Sequence, residues 1–400
     1  MSQFNNQIAP VSALRVMIFT LILVAWIHTL SDIYAPLQSV MASYFQVDRN
    51  WMQGNMAFFM LSVAFSQLFY GVYSDINGRR KAVLLGFFIM LMGNFVIVMA
   101  SSFWVFTLGR IIQGLGAGAA AAMWRCILKD CFDGHQLVKM CSFVSLVFVI
   151  FISTAPMVGS LIATHLSWHW VFLGLLAFNF IILLSFYWGF PETHHQRLRD
   201  WSLATVRSTF KTMLTSPAYM GRCIAVLLTY GSFFAWFVAG SLIMTDTMGL
   251  NHVVFSQYSL MVCGGMMIIS TIINQVSVNQ LSSNVLLCGG WILMVLGGLL
   301  MVIMSQWPLS LFHLFVPLAI FVLGSGLIYP NILGSIMAPY PKHAGYAGSL
   351  YGCIQILGAG LMSLLVAVLP EDSSIYLGAV FIIGGLGAIA FYTWAVRSDI

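Results

Sequence analysis

Apolar stretches of spanning length recur along the whole chain, separated by short polar breaks. They cover residues 13–35, 52–73, 82–101, 103–126, 137–163, 169–190, 217–245, 254–276, 284–304, 309–335, 344–369 and 374–396. At about 1.5 Å per residue, each is long enough for the roughly 30 Å hydrocarbon core of a bilayer, allowing for ends that shift by a few residues. None alternates polar and apolar residues as a barrel strand does. Lipid offers open backbone groups no partner, so each stretch is predicted as a helix. The pattern predicts an all-α integral membrane protein of about 12 transmembrane helices.

The longest polar break, 191–216, begins Pro191, Glu192, Thr193 and carries Arg197, Arg199, Arg207 and Lys211. It leaves six spans on either side. The expectation is an N-terminal six-helix half (1–190), a linker (191–216) and a C-terminal six-helix half (217–400). Within the linker, 202–214 reads as a basic amphipathic segment on the membrane surface. Two equal sets of helices, inferred from helix count, place a substrate cavity between them near the bilayer midplane.

Composition agrees with lipid as the solvent. Charged residues make up 7% of 400 residues, and mean hydropathy is +0.95, whereas soluble domains carry about 25% charged residues. The seven cysteines (126, 131, 141, 223, 263, 288, 353) are scattered through apolar stretches without a CxxC spacing, so they read as small apolar residues. His165 and His169 share helical spacing, and His194 adjoins His195. Neither pair has a Cys or carboxylate cluster beside it, so no metal is expected. No run of Lys and Arg suggests nucleic acid. Arg15 precedes the first span, which lacks a small-x-small cleavage site, so a retained membrane helix is expected rather than a signal peptide.

Lys and Arg set the orientation. With the N-terminus inside, Arg15, Arg79, Arg80, Lys81, Lys129, Lys139, Arg197, Arg199, Arg207, Lys211, Arg222, Lys342 and Arg397 fall on the cytoplasmic side, against Arg49 outside. Both termini are expected in the cytoplasm.

Particular motifs sit on this frame. After the second span stand Gly71, Asp75, Gly78, Arg79, Arg80 and Lys81, a spacing that fits a tight turn with an acid able to cap a helix or pair with a cation. The fourth span carries Arg110, Gln113, Gly114 and Gly118; the two glycines give a small-xxx-small packing face. The fifth carries Ala155, Pro156, Gly159 and Ser160, with Pro156 reading as a kink. These stretches resemble the G-x-x-x-D-x-x-G-R-[RK] loop, the R-x-x-Q-G signature and the antiporter element of the major facilitator superfamily. Asp32, Tyr34 and Pro36, then Gly324 to Asn331, then Ala344 to Gln355, resemble helices 1, 10 and 11 of Bcr/CflA-type drug–proton antiporters. The chain departs from that pattern at Ile76, where relatives often have arginine, and at Ser277–Asn284, which lacks the loop charges altogether.

A charge inside a bilayer costs about 2.5–3.5 kcal/mol on insertion scales and needs a reason. Asp32, near the end of the first span, is expected to carry the coupling proton. Arg110, at similar depth, is expected to set its ionisation or help bind an anion. His28 lies one helical turn from Asp32 and is either a relay or a hydrogen-bonded cavity histidine. Arg125, Lys129 and Asp130 read as solvated charges at the inner end of the fourth span, and Asp246 as an interfacial acid. Tyr34, Tyr230, Trp236, Tyr329, Asn331 and Gln355 are candidates to line the cavity.

The chain shows no HExxH, GxSxG or P-loop, which argues against an enzyme and against direct ATP drive. No filter-like loop or acidic ring supports a channel. What remains is a secondary transporter without cofactors, driven by the proton gradient. It would act as a monomer in a bacterial inner membrane, and the resemblance implies efflux of drugs or small amphipathic metabolites. Export of one metabolite or siderophore, and proton-coupled uptake, stay open as alternatives. One proton crossing 100 mV supplies about 2.3 kcal/mol, which supports roughly a fiftyfold gradient of a neutral substrate.

Overall fold

The structure, a computed structural model, describes residues 10–194, 202–250, 252–340, 343–367 and 374–398. Arg197, Arg199, His195 and Lys342, and the side chains of Arg49 and Asp246, lie outside the described set.

The helices that precede the long polar break are α1 (Pro10–Asp32), a short α2 (Gln38–Phe45), α3 (Arg49–Asn77), α4 (Arg79–Val98), α5 (Phe103–Cys131), α6 (Gly134–His165) and α7 (Trp168–Gly189). The expected surface segment is α8 (Leu203–Thr215). After it come α9 (Pro217–Ala235), α10 (His252–Ser259), α11 (Gly265–Ser277), α12 (Ser283–Met304), α13 (Leu311–Met337), α14 (Ala344–Ala367) and α15 (Ile375–Arg397). Eleven spans of the described residues are long and apolar enough to cross a membrane, and α14 takes the twelfth place expected from the sequence. There is no strand among the described residues.

Local chemistry sets many boundaries. Ser102, Ser202, Ser216, Ser282 and Ser310 each cap the helix that follows by accepting a backbone N–H. Gly78, at φ +99°, turns the chain sharply between α3 and α4. Two expected spans are not regular α-helix. The seventh continues from α9 through π-helical turns at Trp236–Gly240 and Ile243–Thr247, and the eighth has one at Leu260–Gly264, between α10 and α11.

Large apolar side chains are exposed around the outside, Trp188 at 73% and Ile383 at 66% among them; in lipid this surface is solvated. The helices before the break pack mainly as α4 on α5, α3 on α5 and α4 on α7. Those after it pack as α12 on α13, α9 on α15 and α12 on α15. The two sets meet where α3 and α5 touch α14, and where α6 touches α11 and α13. At the first of these contacts Gly71 and Gly345 bring the backbones together, and a Cβ on either would collide with the facing carbonyl.

Candidate functional site

A cavity of about 240 Å³ lies between the two sets of helices, at the end where α1 stops. Its wall is largely apolar, with Phe234, Phe237, Phe255 and Met157 among the lining residues, and several serines interrupt it. Asp32 is its only acidic side chain among the described residues. The residue is 8% exposed, and its Oδ2 makes no hydrogen bond. The nearest cation-forming group is His28, whose Nδ1 is 3.7 Å from Oδ2 and whose ring packs edge-on against Phe148 at 4.4 Å. Pro156 also lines the cavity. With no N–H of its own, it leaves the carbonyl of Ile152, another lining residue, without its helical donor.

No ion pair joins Arg110 to Asp32 among the described residues. Its guanidinium donates to the Leu30 carbonyl at 3.2 Å and to Gln113 Oε1 at 2.5 Å. It also lies over the rings of Phe59 and Tyr34, at 4.1 and 4.9 Å. Gln113 passes the network on to Asn94 of α4. Arg110 therefore holds the last turn of α1, two residues before Asp32. Close packing accounts for Gly114 and Gly118 against α3, and for Gly159 against the Ile33 carbonyl.

The six aromatic and polar candidates do not line this cavity. Tyr34 is buried, donating to the Met52 carbonyl at 2.7 Å. The Trp236 indole donates to Ser259 Oγ at 3.3 Å, beside the π-helical turns. Asn331 donates to Asn274 Oδ1 at 2.9 Å. Tyr230 packs between Phe148, tilted at 6.0 Å, and Tyr329, edge-on at 6.2 Å, and Gln355 is engaged by Arg125. Five of them are buried by a neighbour on another helix and Tyr329 is partly buried, its hydroxyl without a hydrogen-bond partner, which the polarity of the residue alone does not reveal.

At the opposite end the glycine-rich loop builds a closed charge cluster. Arg79 is completely buried and donates to Asp75 Oδ1 at 2.6 Å, to Asp130 Oδ2 at 2.8 Å and to Asp130 Oδ1 at 3.2 Å. Asp75 also accepts from the backbone N–H groups of Gly345 (3.1 Å to each oxygen) and Tyr346 (3.3 Å), at the start of α14. A carboxylate at a helix N-terminus is favoured by the unpaired N–H groups and the helix dipole. One side chain of α3 thus locks onto a helix from beyond the linker. Arg80 instead turns to the Tyr187 carbonyl and ring.

Several partners in this cluster were not anticipated. Glu192 Oε1 accepts from the backbone N–H of Arg79, Thr193 and His194 at 2.9–3.1 Å, tying the segment after α7 to the start of α4. His194 Nδ1 approaches Asp130 Oδ1 at 3.8 Å, and burial, aided by the Arg79 charge, lowers its pKa below the ordinary 6.5. The sequence reading of Asp130 and Arg125 as solvated charges is corrected. Asp130 is the second counter-ion of Arg79, and Arg125 is 4% exposed between α3 and α14. Lys129 does reach the surface acid Asp133.

A buried latch thus closes one end of the molecule, and a cavity with one acid among the described residues lies at the other. The model of the Major Facilitator Superfamily matches residues 16–365. The chain belongs to that superfamily. Among curated relatives, the chain is 27% identical over 379 residues to Multidrug resistance protein D of Escherichia coli, covering 93% of both chains. It is 26% identical over 344 residues to the Bicyclomycin resistance protein homolog of Haemophilus influenzae, covering 86% of both. These relatives agree with the Bcr/CflA resemblance. Among solved structures, the proton:xylose symporter XylE aligns with a TM-score of 0.74 at 14% identity, over 96% of this chain and 95% of that one. The human organic anion transporter MFSD10 aligns at 0.67 and 16%, over 98% of both. At such identities the structures show the major facilitator fold. The protein is a multi-pass membrane transporter of small molecules.

Proposed function

We propose that this transporter is a proton-coupled exporter of small amphipathic compounds, in which Asp32 carries the proton. The observation that carries the reading is Asp32 itself, a buried carboxylate on an apolar cavity wall whose Oδ2 has no hydrogen-bond donor and has only His28 nearby. A carboxylate so placed is neutralised by a proton or by a cationic group of a bound substrate and is costly to bury with neither, which makes the two compete. His28 is the adjacent group that can pass the proton, and Arg110 positions the end of α1. The drug-resistance names of the two relatives support export. The excess of Lys and Arg at the Asp75 end supports placing that end, and both termini, in the cytoplasm of a bacterial inner membrane. The closed Asp75 cluster then makes this an outward-facing state. No cofactor is needed, because the proton gradient supplies the work, and one chain suffices, because both sets of helices that line the cavity belong to it.

The test is transport into inverted membrane vesicles with a panel of amphipathic compounds, with and without an uncoupler. Uncoupler-sensitive accumulation that disappears in Asp32→Asn, while substrate binding persists, is the expected result. Unchanged accumulation in Asp32→Asn would show that the acid is structural and refute the assignment.

A further inference from the structure

Arg125 has no part in the reading above, and its surroundings are unusual for a buried cation. It sits on α5, 4% exposed, with no carboxylate within ion-pairing distance among the described residues. Its hydrogen-bond acceptors are neutral: the Ala121 carbonyl, Gln67 Oε1 at 3.3 Å and Gln355 Oε1 at 2.5 Å. The rings of Trp124 and Tyr351 lie 4.6 and 4.9 Å from the guanidinium carbon. Arg79 shows the contrasting solution in the same protein, with two carboxylates around one guanidinium.

The donors around Arg125 are not used up. Its Nε and the Nε2 of Gln67, which is wholly buried, have no acceptor. Buried N–H groups without acceptors beside an uncompensated positive charge are costly to keep. They are also what an anion requires: a planar fork with further donors converging on it, in a medium of low dielectric. One of the present acceptors, Gln355, belongs to α14, the helix held by the Asp75 latch. Withdrawal of α14 removes that amide and opens one side of the guanidinium.

We propose that Arg125, with Gln67, binds an anionic group of the transported molecule, of the carboxylate class, in place of Gln355 when the Asp75 end opens. The proposal rests on the transport reading, and it adds a second polar site on a separate helix from Asp32. It makes preferred substrates amphipathic compounds that carry a carboxylate, zwitterions foremost, since their cationic group also answers Asp32. It also gives the cargo a direct hold on alternation, because the cross-linking amide and the ligand compete for the same donors.

The experiment uses the purified full chain in lipid nanodiscs, with matched pairs of aromatic carboxylates and their carboxamides, naphthoate and naphthamide among them. Ligand-dependent thermal shift gives the affinities. The parent protein is expected to favour carboxylates by about tenfold or more. Arg125→Gln should lose that preference, and Arg125→Lys should keep part of it. Gln355→Glu installs a carboxylate beside the guanidinium. It should raise the melting temperature and abolish carboxylate binding, which shows the site is intact when occupied from within. The preference should persist in Asp32→Asn, so failure of proton coupling and failure of this site are separate results. Equal or absent shifts with carboxylates and carboxamides in the parent, or a preference retained in Arg125→Gln, overturns the proposal. So does an equal shift with inorganic phosphate, since the site would then take a bare anion and not an organic acid.

Discussion

Replacing Asp75 with Asn tests the latch at its centre. The side chain is fully buried and accepts from three donors, the Arg79 guanidinium and two N–H groups of the first turn of α14, that of Gly345 being shared between both oxygens. The amide keeps the shape but loses the charge, and it turns one oxygen into an NH₂ group that faces donors. Breaking a buried ion pair costs about 3–5 kcal/mol. Arg79 keeps Asp130 and stays partly compensated, so the loss falls at or below the lower limit of that range, at about 2–3 kcal/mol. That figure shifts the balance between closed and open forms of this end by roughly 30- to 150-fold. The assay is spin-label distance measurement between cysteines introduced at the exposed positions Gln136 and Ala338, on α6 and just after α13. The partly exposed native thiols Cys131 and Cys288 are first removed. The parent should show one short distance, and Asp75→Asn a second, longer one as a major population. An unchanged distribution in a folded, monodisperse variant would refute the claim that Asp75 holds the two sets of helices together.

Arg110→Ala should impair transport more than Arg110→Lys, measured as vesicle uptake, because lysine keeps the charge but cannot satisfy Leu30 and Gln113 in one plane. Gly345→Ala should weaken the closed state by about 1–3 kcal/mol, since the added methyl meets the Gly71 carbonyl and the Asp75 carboxylate; the same spin-label pair reports it. His194 has a lowered pKa, so the unfolded chain binds the proton more readily. The stability it contributes is present above pH 6.5 and falls as pH drops below that value. His194→Gln should flatten this acid-side decline in melting temperature. Labelling of single cysteines should find Ser208 accessible from the cytoplasm and Asp48 from outside, and the reverse result would invert the orientation.

The sequence by itself determined the spans, because a helix in lipid satisfies its backbone within its own residues, and hydropathy reports that local condition. It also determined that Asp32 and Arg110 needed explanation, since a charge in an apolar segment is visible without knowing its neighbours, and the glycine spacing singled out Asp75 and Arg79 in the loop after the second span. What it left open was who the neighbours are. Asp75 meets Gly345 across 270 positions, Arg79 meets Asp130 across 51, and Arg125 meets Gln355 across 230. No periodicity within one helix encodes such pairings. Arg125 and Asp130 looked solvated because they stand near a helix end. The approach of α3 and α14 buried one, and the partnership with Arg79 enclosed the other. The π-helical turns beside the cavity were equally hidden, for they have the same apolar composition as the α-helix around them. Tertiary structure alone decided which polar groups face the cavity and which face another helix, because that choice depends on how helices rotate and pack against one another, and hydropathy carries no record of that rotation.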